Sequence, residues 1–346
     1  MGTSGQGHQV KIGKQLADVS EQSLRFYRQI GVEQVGIPAR YVTEPRRSRP
    51  LVPPPQEGPV GPQPPAWDLD ELRRICDRVR QFDLEPVAIG LPISGNVLLG
   101  RPGRDEDLAR IRACIRTAGR AGLQVLTYSF TALRASAGYY LVEAGGRGGA
   151  AYRAFDYQRV AHLPPLESVG RHSREQMWER LVSFLRGVIP AAEEAGVRLA
   201  LHPNDPPVPE FRGVAQPVRS LADLQGVLEA VESPANTIFL DTGVLTEMGE
   251  RAPEAIRAFG SRGRIGMVHF RNVRVETPYY RYVETFHDEG DCDMAGCMRA
   301  FVESGYTGMV EPDHTPGIIG DTLDTHVGWA FAIGQLIALR NAVEGA

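Results

Sequence analysis

Short apolar runs alternate with longer amphipathic stretches along nearly the whole chain of 346 residues. Eight such runs occur, at residues 10–16, 32–38, 85–93, 123–130, 197–203, 237–243, 265–273 and 308–314. The stretches between them have helical periodicity, and several begin at Asp or Ser or close with Gly, as helices do. Repeated strand-helix units in this number predict an α/β fold, a single (β/α)₈ TIM barrel over residues 1–346. A doubly wound open sheet fits less well, because no glycine-rich fingerprint follows the first run.

Two segments interrupt the alternation. Residues 44–66 hold nine of the chain's 26 prolines, which excludes a regular helix or a central strand. This proline-rich loop follows the second predicted strand, as either a surface excursion or a lid over the substrate. Residues 137–160 form a glycine-rich loop after the fourth predicted strand. That loop either carries Arg147 and Tyr152 to a bound anion or is plainly flexible.

Composition excludes several classes of protein. The formal net charge is −4 and arginine is dispersed along the chain, so no nucleic-acid partner is expected. No apolar stretch is long enough to span a membrane, and the four scattered cysteines favour a reducing compartment, so we expect a cytoplasmic protein. The only lysines are Lys11 and Lys14, both on the first strand, so lysine-based catalysis has just two candidate positions.

Four predicted strands end in residues that commonly bind metals. These are His202 in LALHP, Asp241 in FLDTG, His269 in MVHFRN and Asp313 in VEPDH, each about one strand-helix unit from the next. In a TIM barrel the carboxyl ends of the strands face the active site, so these four side chains should converge. Two imidazoles and two carboxylates form a ligand set for a divalent cation that leaves positions open for substrate oxygens.

Several sequence blocks resemble a known family, the metal-dependent mannonate dehydratases, which are xylose-isomerase-like TIM barrels. The similar blocks, in the family's order, are GRGGA (146–150) followed by FD, LHPNDPP (201–207), VHFRNV (268–273), FHDEGDCDM (286–294) and PDHTP (312–316). The resemblance implies a lyase that dehydrates D-mannonate to 2-keto-3-deoxy-D-gluconate with a divalent metal, typically Mn²⁺. It further implies that His202, His269 and Asp313 are metal ligands and that His314 serves in acid/base catalysis.

One ligand departs from the family pattern. Asp241 stands where the family usually has a cysteine, which keeps the charge of the site but supplies a harder donor. This change favours Mn²⁺ or Mg²⁺, with Fe²⁺ also compatible, over softer-ligand metals such as Zn²⁺. The sequence before GRGGA also differs from the family's, which leaves the choice of sugar acid open.

Dehydration of a 2,3-dihydroxy acid requires a base for the C2 proton and an acid for the departing C3 hydroxyl. We expect His314, with Asp313, to transfer these protons. Residues expected to bind the substrate's carboxylate and hydroxyls are Arg271, Asn272 and Arg147, with His287 either contacting substrate or ordering its loop. Tyr128 and Tyr280 are further candidates that sequence cannot separate.

Three alternative functions remain open at this point. A metal-dependent sugar isomerase or epimerase on the same barrel would use the same proton abstraction next to a metal-bound oxygen. A barrel that has lost catalysis would act as a binding protein, and a DNA-repair nuclease would require a basic groove that the sequence does not show. A small sugar acid is the expected partner, and a homo-oligomer is the expected assembly.

Overall fold

The structure is a computed structural model that describes residues 9–38, 51, 52, 58, 60–321 and 325–345. Most of the proline-rich loop predicted at 44–66 lies outside the described residues. Its two interpretations, a surface excursion or a lid over the substrate, therefore stay predictions. The described strands are β1 (Lys11–Gln15), β2 (Gln34–Ile37), β3 (Glu85–Gly90), β4 (Val125–Ser129), β5 (Tyr139–Val142), β6 (Tyr152–Asp156), β7 (Arg198–His202), β8 (Glu210–Phe211), β9 (Val214–Ala215), β10 (Asn236–Asp241), β11 (Ile265–His269), β12 (Val273–Thr277), β13 (Arg281–Glu284) and β14 (Met309–Glu311).

Eight strands form a closed parallel barrel. Their order around it is β1, β2, β3, β4, β7, β10, β11 and β14, which is their order in the chain. Each of the eight apolar runs overlaps one barrel strand, so the predicted TIM barrel is confirmed. β14 closes the barrel by pairing with β1 on one side and β11 on the other.

Helices occupy the stretches between the barrel strands. In the described ranges they are α1 (Glu21–Gln29), α2 (Leu69–Arg80), α3 (Gly95–Leu99), α4 (Arg104–Arg120), α5 (Arg174–Ala195), α6 (Leu221–Ala230), α7 (Thr242–Glu247), α8 (Ala252–Gly260), α9 (Met294–Glu303) and α10 (His326–Glu344). A Ser or Asp side chain accepts a hydrogen bond from the first turn of seven of these helices, which explains where they start. The capping residues are Ser20, Asp68, Ser94, Ser173, Ser220, Asp241 and Asp293. None of the described helices is long and apolar enough to cross a membrane.

The barrel interior is filled by side chains and is not a pore. A separate small apolar cluster lies inside it, formed by Val87, Ala88, Val125, Ala200, Phe239, Met267 and Met309. Phe239 forms part of the floor beneath the candidate site, because its ring lies 5.1 Å from the His202 ring and 4.1 Å from the His269 ring, between centroids. Packing inside the barrel therefore supports the polar groups at the strand ends.

The segment predicted as a glycine-rich loop, residues 137–160, is ordered as a hairpin. β5 and β6 pair in an antiparallel manner and continue into β13 and β12, which makes a four-stranded sheet. The sequence analysis missed these strands because Gly and Ala residues interrupt the alternation between them. The sheet brings Arg153 of β6 and Glu284 of β13 to the cavity described below.

The four cysteines are all buried and free. The Sγ atoms of Cys292 and Cys297 lie 3.6 Å apart, and the two residues flank Asp293, the N-cap of α9. They occupy the positions of a hydrophobic staple, which fixes the direction in which the chain enters a helix. The closeness of these two free thiols is thus explained by the packing at the start of α9.

Candidate functional site

Three of the four predicted metal ligands come together at the carboxyl ends of neighbouring strands. His202, Asp241 and His269 are the last residues of β7, β10 and β11, and one ligand atom of each lies within 4.8 Å of the other two. His202 Nε2 is 3.2 Å from His269 Nδ1, and Asp241 Oδ2 is 3.4 Å and 3.3 Å from these two nitrogens. Among the described residues this group could hold a metal ion.

Asp241 shows why a cation fits between these atoms. Its Oδ1 accepts the N–H of Val244 at 2.8 Å and so caps α7, which orients the carboxylate. Its Oδ2 is buried and has no hydrogen-bond partner among the described residues, although the two imidazole nitrogens face it. A buried carboxylate oxygen without a partner is costly, and a cation at this point would satisfy it.

His202 presents the ring nitrogen that a metal needs. Its Nδ1 lies 2.7 Å from the carbonyl oxygen of Pro203, so Nδ1 carries the proton and donates it there. Its Nε2 therefore has a free lone pair directed at Asp241 and His269. The LHP sequence explains this arrangement, because the carbonyl group of the next residue sets the tautomer.

The surroundings of the three ligands carry an excess of negative charge. Buried or half-buried acidic side chains outnumber the basic ones among them, and a divalent cation would reduce this excess. Burial raises the pKa of Glu247 well above its ordinary value. The acids include Asp205, Asp241, Glu247, Glu284, Glu311 and Asp313, and the cations include Lys14, Arg153 and Arg271.

The pKa values of the ligands reflect this charge. Burial lowers the pKa of His269, but Asp313, Asp241 and Glu311 raise it further, to about 10. Burial raises the pKa of Asp241, but Arg271 and the two imidazoles lower it more, so it lies well below its ordinary value. Without a metal, a proton on His269 supplies the positive charge that the site requires.

Asp313, the fourth predicted ligand, lies beside this group and not within it. Its Oδ1 is 3.6 Å from His269 Nε2, on the side of the ring that faces away from Asp241, and its Oδ2 is 2.5 Å from His314 Nε2. The same nitrogen of His314 lies 2.6 Å from Arg153 Nη2. Nε2 can donate to the Asp313 carboxylate when it carries a proton and accept from the Arg153 guanidinium when it does not, a suitable position for a proton-transfer group.

A cavity of about 870 Å³ opens over these residues, within the range of sites for small molecules. His202, His269, Asp313 and His314 line the cavity, whereas Asp241 is fully buried and does not line it. Tyr128 also lines it, and its hydroxyl has no hydrogen-bond partner in the described part of the chain. Tyr280 does not line it and stacks on Tyr157 at the surface.

The four residues expected to bind substrate are not among the described residues that line the cavity. Arg271 is 1% exposed and its guanidinium contacts buried carboxylates, with Nη1 at 2.9 Å from Asp205 and Nη2 bonded to Glu247. Arg271 therefore links the Asp205 and Glu247 carboxylates next to the candidate metal ligands. The structure gives no support for a contact between Arg271 and substrate.

Asn272, His287 and Arg147 are likewise engaged elsewhere. The Asn272 amide donates to the carbonyl oxygens of His287 and Cys292 at 2.7 and 3.3 Å, and His287 Nε2 lies 2.6 Å from the Phe270 carbonyl oxygen. These bonds order the 286–294 loop, the second of the two roles considered for His287. Arg147 is half-exposed and pairs with Asp288 at 2.6 Å.

The polar residues that line the cavity and were not assigned to the site from sequence include Lys14, Arg153, Glu284 and Glu311. Glu311 is the last residue of β14, two residues before Asp313, so its position at the strand end was a signal available in VEPDH. Arg153 and Glu284 pair through two hydrogen bonds between β6 and β13. No local pattern could have paired them, because 131 residues separate them in the chain.

Comparison with known proteins identifies the family. The family model of D-mannonate dehydratase (UxuA) matches residues 154–345. The mannonate dehydratase of Thermotoga neapolitana is 30% identical over 333 residues, covering 83% of this chain and 92% of that protein. The crystal structure of mannonate dehydratase from Streptococcus suis serotype 2 superposes with a TM-score of 0.82 at 22% identity, covering 98% of this chain and 95% of the other.

A D-psicose 3-epimerase structure shares the fold more distantly. Its TM-score is 0.59 at 13% identity, covering 97% of this chain and 100% of the other, and such a likeness shows the xylose-isomerase-like barrel alone. The family model, in contrast, matches more than half of the chain. The chain therefore belongs to the D-mannonate dehydratase family of hydro-lyases.

Proposed function

We propose that this protein is a divalent-metal-dependent dehydratase that converts D-mannonate to 2-keto-3-deoxy-D-gluconate and water. The observation that carries the proposal is the unpartnered Oδ2 of Asp241 between the nitrogens of His202 and His269, in a chain of the D-mannonate dehydratase family. A bound divalent ion would polarise substrate oxygens and stabilise the charge that forms when the C2 proton leaves.

The donor set supports Mn²⁺ as the resident ion, with Mg²⁺ or Fe²⁺ as alternatives. Two imidazoles and one carboxylate suit these intermediate and hard cations, and no thiolate is present to favour Zn²⁺. Asp313 lies next to His269. If its carboxylate turned toward Asp241, it would complete the set of four metal ligands that the sequence predicts.

Proton transfer is the role proposed for His314. Its ring lines the cavity, and Nε2 contacts Asp313 at 2.5 Å and Arg153 at 2.6 Å, so both neighbours hold the ring in place. Arg153 is itself fixed by Glu284. The imidazole would exchange a proton with the substrate, and Asp313 and Arg153 orient the ring.

The substrate's own carboxylate requires positive charge at the cavity. The basic side chains that line it within the described residues include Lys14, Arg134 and Arg153. These replace Arg147 and Arg271 as the residues proposed to attract a sugar acid, because the latter two do not line the cavity. Charge of one sign in a concave site raises the local concentration of an anionic substrate.

A homo-oligomer is proposed for the assembly. Three of the six large apolar side chains that are exposed in the described residues lie close together in sequence, and an exposed apolar surface of this kind favours association. They are Ile319, Val327 and Phe331. Light scattering on the purified protein measures the assembly directly.

The decisive experiment incubates the Mn²⁺-loaded protein with D-mannonate and with other aldonates, and assays 2-keto-3-deoxy acids. Production of the keto-deoxy acid from D-mannonate, lost on removal of the metal, is the expected result. Interconversion of sugars without a keto-deoxy product would support the epimerase alternative. Failure to bind any divalent metal after reconstitution would instead support a non-catalytic barrel.

A further inference from the structure

Lys14 is one of only two lysines in the chain, and it is buried beside the candidate metal site. Its Nζ lies 3.3 Å from Glu311 Oε2 and 3.1 Å from the carbonyl oxygen of Pro312, and it stands 4.1 Å above the centre of the Trp329 ring. A buried ammonium is costly unless it is paired, and Glu311 is the carboxylate that pairs with it. The family comparison assigns no role to this pair.

Glu311 connects Lys14 to a metal ligand. It is fully buried at the end of β14, between β1 and β11, and its two oxygens face different partners. Oε2 accepts from Lys14 and from the backbone N–H of Gln15, at 3.3 and 2.5 Å. Oε1 accepts from the Gln15 amide at 2.6 Å and lies 3.4 Å from His269 Nε2.

The position of Glu311 determines which nitrogen of His269 is available. His269 Nδ1 faces His202 and Asp241, and Nε2 faces Glu311 on the opposite side of the ring. A carboxylate accepting the Nε2 proton leaves the Nδ1 lone pair free for a metal. The Gln15 amide nitrogen lies 3.2 Å from the same Nε2 and also donates to Glu311, and it can donate to Nε2 only when that nitrogen carries no proton, so Gln15 and Glu311 favour opposite tautomers of His269.

We propose that Lys14 and Glu311 are positioning residues for His269: Lys14 holds Glu311, and Glu311 sets the tautomer that directs His269 Nδ1 at the metal. This inference rests on the proposed metal site. Its physical basis is that carboxylates bonded to a metal-binding imidazole orient the ring and increase its basicity. The ammonium of Lys14 keeps the charge of Glu311 stable in a buried location.

Mn²⁺ affinity, measured by isothermal titration, tests the proposal independently of turnover. Lys14→Met, which preserves side-chain length, and Glu311→Gln, which preserves shape, should each weaken Mn²⁺ binding about 10-fold to 100-fold. Lys11→Met is the matched control, because Lys11 lies on the same strand but pairs with Glu33 away from the cavity. It should leave the affinity within about twofold.

A double-mutant cycle distinguishes positioning from a general structural role. If Lys14 acts through Glu311, the double variant should bind Mn²⁺ no more weakly than Glu311→Gln alone. Lysine labelled with ¹³C provides a readout in the unmodified protein, since only two side-chain signals exist. Addition of Mg²⁺ should shift the Lys14 signal and leave the Lys11 signal in place.

Three results would overturn the inference. They are unchanged Mn²⁺ affinity in Lys14→Met, additive losses in the cycle, and nitrogen NMR showing the His269 proton on Nδ1 in the Mg²⁺-loaded protein. Absence of Mn²⁺ binding by the unmodified protein would overturn the metal site itself, a different outcome from failure of the positioning role alone.

Discussion

Replacing Asp241 by cysteine separates the two roles that its carboxylate has. Oδ1 caps α7 through Val244, and Oδ2 faces the two imidazoles. A cysteine still supplies an anionic ligand to a metal but is a poor cap, so Asp241→Cys should lower the free energy of unfolding of the metal-free protein by about 1 kcal/mol. The softer donor should move the ratio of Mn²⁺ to Zn²⁺ affinity at least about tenfold toward Zn²⁺, which is about 1.4 kcal/mol.

Chemical unfolding measures the first effect, and competition with a fluorescent chelator measures the second. Asp68→Cys is the matched control, because Asp68 caps α2 through Glu71 at 2.8 Å without a contact to the site. It should reduce stability by a similar amount and leave both metal affinities unchanged. Asp241→Asn retains an oxygen for the cap but loses the charge, so it should weaken both metals. Unchanged metal affinities in both Asp241 variants would refute its assignment as a ligand.

Three further predictions concern catalysis, pH and stability. His314→Asn should reduce turnover of D-mannonate by about 10²-fold to 10⁴-fold with Mn²⁺ content unchanged, as measured by enzyme assay and metal analysis; loss of metal would place His314 among the ligands. Because the pKa of His269 is raised to about 10, Mn²⁺ must displace a proton below that pH, so affinity should increase up to about tenfold per pH unit from pH 7 to about pH 10 and then level off. Titration in buffers of different ionisation enthalpy counts the proton, and a flat profile would contradict this reasoning. Arg271→Met should lower the free energy of unfolding by about 3–5 kcal/mol, because it leaves buried carboxylates unpaired, whereas Arg257→Met at the exposed Arg257–Glu303 pair should cost less than about 1 kcal/mol.

The barrel was predictable because its signals are local. An apolar run such as 197–203 encodes a buried strand, and Ser or Asp before an amphipathic stretch encodes a helix start, so the order of elements follows from short segments. The hairpin within residues 137–160 was not predictable in this way. Its strands are stabilised by pairing with β13, more than 100 residues away in the chain.

The convergence of the three candidate metal ligands was predictable for a related reason. In parallel strands that close a barrel, the last residue of each strand must lie at one rim, so His202, Asp241 and His269 converge once the strands are located. The convergence needs no knowledge of side-chain contacts. The identity of the family was likewise available from short blocks of sequence, and the comparison with known proteins confirms it.

By itself, then, the sequence determined the barrel, its order of strands and the residues at the strand ends. Only the tertiary structure decided what those residues face. Arg271 follows β11 by two residues, yet it does not line the cavity, and its guanidinium pairs with Asp205 and Glu247. Lys14 and Glu311, at opposite ends of the chain, meet because β1 and β14 close the barrel. Pairings of this kind depend on register and on the balance of buried charge between distant segments, which no local pattern encodes.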